Sequence, residues 1–349
     1  MIYDIDILED DILKLDIEVL ERLLWDHSRP KYIADNQEHH HHIYWATDNY
    51  QDRGDGFNFF DEITIPSITG ENVQVVRPRA SKSKEEQELR TREKAEVFTP
   101  SWVCNAQNNM VDEAWFGKKN VFNEEYIEEG THKWRPTEDK ITFPEDKSWK
   151  DYIWDKRLEI TCGEAPYIVS RYDTTTGEPI ESLSMRIGLL DRKFRVIKEN
   201  VSTIADWIYW AKCAIKSTYG FEWQGDNILL AREAIFFSFI EYYKDFCTNI
   251  IKKEQKLTLA TLRTVAYIIS WNIFQMDGMN FTLPMSGSKP KEISMMDLFA
   301  TTEEETTSSS CTNSIEQEKI YAVVAEWKKD GEKNRVTCEF RRLCNIMYK

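Results

Sequence analysis

Apolar residues recur at mostly helical spacing near the start of the chain. Leu8, Ile12, Leu15, Leu20, Leu23 and Leu24, with acids between them, predict an amphipathic helix over residues 8–24 that docks on a larger body. Two later stretches are apolar over more than half a helix circumference. One carries Ile228, Leu229, Ala231, Ile235, Phe236, Phe239, Ile240 and Tyr243, and the other Leu259, Leu262, Val265, Ala266, Ile269 and Ile273. They predict core helices of a layered domain over 227–247 and 257–274. Between residues 47 and 76, Gly54, Gly56, Pro66 and Gly70 punctuate Ile63-Thr64-Ile65 and Val73-Gln74-Val75-Val76, which predicts short strands and turns. Ser, Thr and Glu dominate 286–318, a composition expected of a flexible loop. Ile320-Tyr321-Ala322-Val323-Val324-Ala325 then reads as a last strand. The chain shows no internal repeat.

Composition narrows the function classes. With 41% apolar and 13% aromatic residues among 349, the chain has enough to bury that a wholly disordered protein is excluded. The 45 Lys and Arg against 60 Asp and Glu give a net charge of -15, which excludes a generally basic nucleic-acid coat. Residues 77–94 are the exception. Arg77, Arg79, Lys82, Lys84, Arg90, Arg92 and Lys94 outnumber four acids there, for a local charge of +3. That island fits a solvated helix with mixed i,i+4 pairs, or a contact with DNA phosphates. No run approaches the roughly 18 apolar residues of a membrane span. The acidic start, Met1 to Asp6, lacks the lysines of a signal peptide, and seven scattered Cys argue for reduced thiols and a cytoplasmic location. The run His39 to His42 reads as a solvated loop, since adjacent imidazoles diverge and no cage completes a metal site.

Four segments carry the candidate chemistry. Val97-Phe98-Thr99-Pro100 predicts a rigid corner entering a helix. In Leu158-Glu159-Ile160-Thr161-Cys162-Gly163-Glu164-Ala165-Pro166 an apolar strand runs into small residues, where a ligand can approach the backbone. Gly220-Phe221-Glu222, leading into the 227–247 helix, places an acid where it can accept two hydrogen bonds from a ribose diol. Asp226 is the alternative acid, or the cap of that helix. Gln275-Met276-Asp277-Gly278 ends a helical run in a turn signal, so Asp277 either shapes the turn or holds an exocyclic amine.

Taken in this order, the four segments resemble amino-group (N6-adenine) DNA methyltransferases of the gamma arrangement. The chain as a whole is similar to bacterial proteins called restriction endonuclease subunit M. The resemblance implies an α/β fold, a mainly parallel, S-adenosylmethionine-dependent methyltransferase-like sheet flanked by helices. An N-terminal helical and β extension would occupy 1–94, the domain itself 95–285 with its last strand and tail at 319–349, and a loop 286–318. It implies S-adenosylmethionine as cofactor and DNA as partner, with a specificity or endonuclease subunit alongside. Phe98, Thr99 and Pro100 would close the methionine end of the cofactor, Glu159, Cys162 and Gly163 would line the strand-end loop, Glu222 would bind the ribose and Asp277 the adenine amine.

One element of that pattern is missing. Enzymes that methylate adenine N6 hold the poorly nucleophilic amine with an Asn/Asp-Pro-Pro-aromatic tetrapeptide, whose oxygens localise its lone pair and whose ring stacks on the flipped base. No such tetrapeptide follows Asp277. At the expected strand end stand Glu326 and Trp327, candidates to accept an amine proton and to stack. The residues after Trp327 are too few for three more strands and a recognition domain. Three readings follow. The first is a DNA methyltransferase-like subunit of a restriction–modification or defence system, with Arg77, Arg79, Lys82, Lys84, Arg90 and Arg92 meeting phosphate. The second is a degenerate relative acting as a binding or assembly module. The third is a Mg-dependent nuclease built on Glu326 and Lys328, on the strength of a Glu-x-Lys strand end.

Overall fold

Asp16 divides the first apolar stripe in two. Its carboxylate accepts the Glu18 N–H at 2.8 Å and so caps α2 (Ile17–Leu24), separating it from α1 (Glu9–Leu15). A computed structural model of the chain describes residues 9–94, 97–284, 319–329 and 335–347. It is a mixed helix and sheet protein with several small sheets, one of them parallel. The loop predicted over 286–318 lies outside the described residues.

The parallel sheet joins β1 (Arg157–Glu159), β2 (Thr218–Glu222) and β3 (Ile273–Gln275) in sequence order, with Glu159 opposite Gly220 and Glu222 opposite Gln275. Between β1 and β2 the chain forms α5 (Leu189–Asn200) and α6 (Ile204–Lys216). Between β2 and β3 it forms the two helices that the apolar pattern predicts, α7 (Gly225–Phe246) and α8 (Leu259–Asn272). Burial sorts the strand residues by face. Gly220 points into the main core, where a Cβ would come within 3.1 Å of Cys162 Sγ. Phe221 and Phe274 point the other way and pack with Ala322 and Val324 of a C-terminal hairpin. That hairpin pairs β4 (Val323–Trp327) with β5 (Arg335–Glu339) antiparallel. It begins at the far end of β3, where Ala322 N–H donates to Phe281 O at 2.9 Å. It finishes at the near end, where Trp327 Nε1 donates to Asn272 Oδ1 at 2.7 Å. The last strand therefore crosses one face of the parallel sheet and does not extend it.

One buried apolar cluster runs from Ile12 to Trp327, so the N-terminal extension shares the core of the body. Val19, Leu20, Leu23 and Leu24 pack on α8, and Arg263 of α8 donates to the capping carboxylate of Asp16 at 2.8 Å. Further on, Gln275 at the end of β3 binds the backbone of Tyr44 from both sides, accepting its N–H and donating to its C=O, each at 2.9 Å. Gly225 N–H donates to Trp45 O at 2.9 Å.

Three local expectations are overturned. Ile63-Thr64-Ile65 does not continue as a strand. Ser67 Oγ accepts the Thr64 N–H at 3.0 Å and Pro66 suits a first helical turn, so Ile65–Ile68 is a short helix. Val73 closes a 3-10 turn by donating to Gly70 O, which removes the second strand. The His39–His42 run is no solvated loop. His39 belongs to a short strand paired with Tyr32–Ala34 and His41 and His42 to one paired with Trp25–Asp26, while His40 between them stacks on Trp25 at 3.8 Å. Among the described residues no helix is long and apolar enough to cross a membrane.

At Gly225, a Cβ would stand 1.9 Å from Tyr44 O. Gly225→Ala should therefore lower stability by about 2 kcal/mol or more, read as a fall in the urea midpoint at unchanged m. An unchanged midpoint would show that residues 43–45 do not rest on the start of α7.

Candidate ligand site at the strand ends

Because β1 and β2 pair in parallel, the loops that leave them open on the same side, where open α/β sheets receive ligands. The loop after β1 is conformationally unusual. Thr161, Gly163 and Ala165 have φ of 48°, 51° and 61°. Glycine takes that region freely, but for β-branched Thr161 it is an outlier costing about 1–3 kcal/mol, a strain typical of functional loops. The loop's backbone N–H groups point several ways, Cys162's to Phe221 O at 2.8 Å, Ala165's to Cys162 O at 2.7 Å and Gly163's to Glu222.

Glu222 receives one of those groups. Gly163 N–H donates to Glu222 Oε2 at 3.0 Å, while Trp223 N–H reaches Oε1 at 2.9 Å and Gln224 N–H at 3.4 Å. A carboxylate offers about four lone-pair positions, so accepting capacity is left over. Burial pushes the Glu222 carboxyl up from its ordinary value, against the pull of these three N–H groups. Glu159 lies beside it, only 8% exposed. Its Oε1 accepts Tyr167 N–H at 3.4 Å, and its Oε2 is buried without a hydrogen-bond partner. Burial raises Glu159 well above the carboxylate range, and the Glu222 charge raises it further. A buried and a half-buried carboxyl, side by side and both raised from their ordinary values, favour a ligand bearing a cation and hydroxyl donors. Cys162, predicted to line the loop, is buried, and burial beside these carboxyls keeps its thiol protonated. It packs against Gly220.

Phe98 closes the other side. A Cβ on Gly163 would lie 3.5 Å from the Phe98 ring, ordinary van der Waals contact, so the ring packs directly over the glycine. The neighbouring residues build the corner. Thr99 O accepts from Thr174 Oγ1 at 3.2 Å, and Pro100 caps α4 (Ser101–Phe116), whose first N–H donates to Asp173 Oδ2 at 2.6 Å. Asp277 follows β3 at the same end of the sheet and shapes its own turn. Its Oδ1 accepts Met279 N–H at 2.8 Å, and its Oδ2 accepts from Asn280 Nδ2 at 2.6 Å. The turn-forming alternative is realised here, and like Glu222 the carboxylate keeps lone-pair positions for a further donor.

The basic island divides. Arg90 and Lys82 are 2% and 5% exposed, so they face inward and present nothing to an external phosphate. Arg90, on α3 (Lys84–Lys94), donates to Asp226 Oδ2 at 2.8 Å and to Gln224 Oε1 at 3.3 Å, and Tyr50 Oη donates to Asp226 at 2.7 Å. Asp226 lies in the first turn of α7 and does not cap it. Although burial opposes ionisation, the Arg90 and Lys82 charges pull its carboxyl down to about 2. Arg77 pairs with Glu86 at 3.3 Å. Arg79, Lys84 and Arg92 line an open cleft of about 420 Å³. Sequence patterns missed the acid that ties this island to the site. Glu164 accepts Arg79 N–H at 2.6 Å and Tyr172 Oη at 2.5 Å, and its only signal was its place directly after Gly163.

Glu326 and Trp327 are not brought to this site. Glu326 pairs with Lys156, just before β1, at 2.8 Å, and buried Trp327 bonds Asn272, just before β3. Both sit at the opposite end of the sheet because β4 runs back across it. Among the described residues no group of three or more His, Cys, Asp or Glu could hold a metal ion.

The Asp226–Arg90 pair predicts an acid limb. Because the folded carboxyl is held down to about 2, below the ordinary aspartate value of about 3.9, its contribution of about 2 kcal/mol is complete above about pH 5 and lost as pH falls through 2. Urea unfolding across this range should show the loss in the native chain and its absence in Asp226→Asn. Parallel curves would contradict the pairing. No protein-family model, curated protein or solved structure matches this chain.

Proposed function

We propose that the chain is a methyltransferase-like subunit that binds S-adenosylmethionine at the ends of β1 and β2 and works with DNA in a restriction–modification or defence assembly. The observation that carries this is the meeting of Gly163, Glu222, Glu159 and Phe98 at one end of a parallel sheet. Strand order adds support. Three successive parallel strands lying side by side are what the first half of a doubly wound sheet requires, and ligands of such sheets sit beyond the strand carboxyl ends.

The residues present fit the cofactor. Glu222 has accepting capacity for ribose hydroxyls, and the unpartnered Oε2 of Glu159 suits a cationic group. Gly163 brings the loop backbone close to the Phe98 ring at the same place. When bound, the cofactor supplies a sulfonium-activated methyl group. The chain's own contribution is to bind and orient it between two acidic strand ends.

A second reading, the non-catalytic binding module, has its own support. The sequence contains no two adjacent prolines, so no tetrapeptide of the amine-holding type is present, and Glu326 and Trp327 stand at the wrong end of the sheet to replace it. The two readings share the ligand site and differ in whether a partner completes the acceptor side.

Calorimetric titration with S-adenosylmethionine tests the shared part. Saturable binding should weaken tenfold or more in Glu222→Gln, a loss of about 1.4 kcal/mol, while the folded state persists because glutamine still offers Gly163 an acceptor. No heat from a folded sample would remove the ligand site. Transfer of labelled methyl groups to DNA, with and without neighbouring subunits, then separates the active from the non-catalytic reading.

A further inference from the structure

The parallel sheet is closed along one edge and open along the other. At the outer edge of β3, the buried Arg232 guanidinium donates from Nε to Ile273 O at 2.8 Å. At the β1 edge, among the described residues, no strand pairs. Arg157 N–H donates to Ser217 O on the β2 side at 2.9 Å, so the next residue, Leu158, turns its N–H and C=O away from β2. Charges that ordinarily guard such an edge are engaged elsewhere. Lys156 pairs with Glu326 at 2.8 Å, Arg157 with Asp155 at 3.0 Å, and Glu159 is buried. What the edge presents is Leu158, 43% exposed, and Ile160, 67% exposed. Both stand on the sheet face that the C-terminal hairpin covers. Leu158 lies opposite Tyr219, whose Oη donates to Ala325 O at 3.0 Å, and Phe221 and Phe274 are buried under the same hairpin. The cover therefore extends over β2 and β3 and stops short of β1.

With their connecting helices, β1, β2 and β3 make one strand–helix–strand–helix–strand half of a doubly wound sheet. In that architecture the second half joins against the first strand, and the ligand lies in the crevice where the two halves diverge. Here that junction is the β1 edge, so the strand-end ligand site has one wall, formed by Gly163, Glu222 and Phe98. We infer that the open edge of β1 receives a strand of a separate partner chain, parallel to β1 and apolar at alternate positions, which supplies the second wall of that site. The chain's own last strand does not supply it, because β4 crosses the sheet face. The described residues stop at Pro284 and resume at Lys319, with Leu283 N–H donating to Ile320 O at 2.8 Å, so both flanks of that interval follow β3, two strands from β1. No other interval outside the described residues exceeds eight residues. A second copy meeting this edge about a two-fold axis normal to the sheet would pair antiparallel and carry its loops to the opposite end. A parallel strand from a different chain brings its carboxyl-end loop to the ligand site, beside Glu159. This rests on the reading of that site as methyltransferase-like, and it names where on the chain a partner subunit attaches.

A labelled strand peptide alternating Val and Thr between terminal lysines probes the edge on the full chain. Alone, the chain should sediment as a monomer, and its Leu158 and Ile160 amides should exchange about a hundredfold or more faster than that of Arg157. The peptide should bind saturably, slow those two amides, and lose about tenfold or more in affinity to Leu158→Pro, which removes an outward N–H and leaves the ladder to β2 whole. The double variant Leu158→Ser, Ile160→Ser, both positions exposed, should weaken binding likewise and serves where the proline variant does not fold. A nitroxide on the carboxyl end of the peptide should broaden the Gly163 amide and spare that of Asp155. Slow Leu158 and Ile160 amides in the lone monomer would show that the chain covers its own edge, and a dimer dispersed by the serine variant would show that a second copy does. Either result overturns the inference, as do a reversed nitroxide pattern, no peptide binding, or binding indifferent to both variants. Titration of the native chain with S-adenosylmethionine reads the strand-end site separately, since failure of the edge leaves that titration intact and failure of the ligand site abolishes it.

Discussion

A half-buried carboxylate at the end of β2 organises this molecule. Glu222 is held by the backbone of both strand-end loops, from Gly163 on one side and from Trp223 and Gln224 on the other. Parallel pairing makes this possible, because only parallel neighbours release their loops at the same edge. The geometry then dictates the rest. Gly163 must be left-handed to aim its N–H, Phe98 settles over the space the glycine leaves, and Glu159 is buried beside a second carboxyl with one oxygen unpartnered. Leaving a buried acceptor unmatched costs on the order of 1–3 kcal/mol, a cost that a bound cation or hydroxyl would remove.

The N-terminal third is what fixes the loops from outside. Tyr44 and Trp45 lie on Gln275 and Gly225, Tyr50 and Arg90 converge on Asp226, and Arg79 reaches Glu164. Each contact joins a residue before Pro100 to the end of a parallel strand. A buried ion pair such as Arg90–Asp226 adds little net stability over an apolar pair, but removing one partner strands the other charge. Here its effect is positional. It sets the rotation of a helix that has no apolar stripe to set it.

Much of this was legible in the residues. Periodicity placed α7 and α8 within two residues, since long apolar faces leave a helix no alternative register. The segments around Phe98, Gly163 and Glu222 were singled out in sequence and meet in space. Pattern failed where a single side chain redirected the backbone, as Asp16 did by capping α2 and Ser67 by closing a helical turn. It failed again where direction mattered. Ile320 to Ala325 reads as a strand, but nothing in its composition shows that it crosses the sheet antiparallel to β3, which carries Glu326 and Trp327 away from the site. Charge alone could not divide Lys82 and Arg90 from Arg79, Lys84 and Arg92, because the division depends on which face of α3 Asp226 draws inward.

The most direct test of the ligand site is a crystal structure of the chain grown with saturating S-adenosylhomocysteine. The ribose hydroxyls should lie about 2.6–3.0 Å from the Glu222 carboxylate, with the amino-acid end of the ligand between Glu159 and the Phe98 ring. Ligand density elsewhere on the molecule, or Glu222 still bonded only to backbone at saturation, would contradict the account.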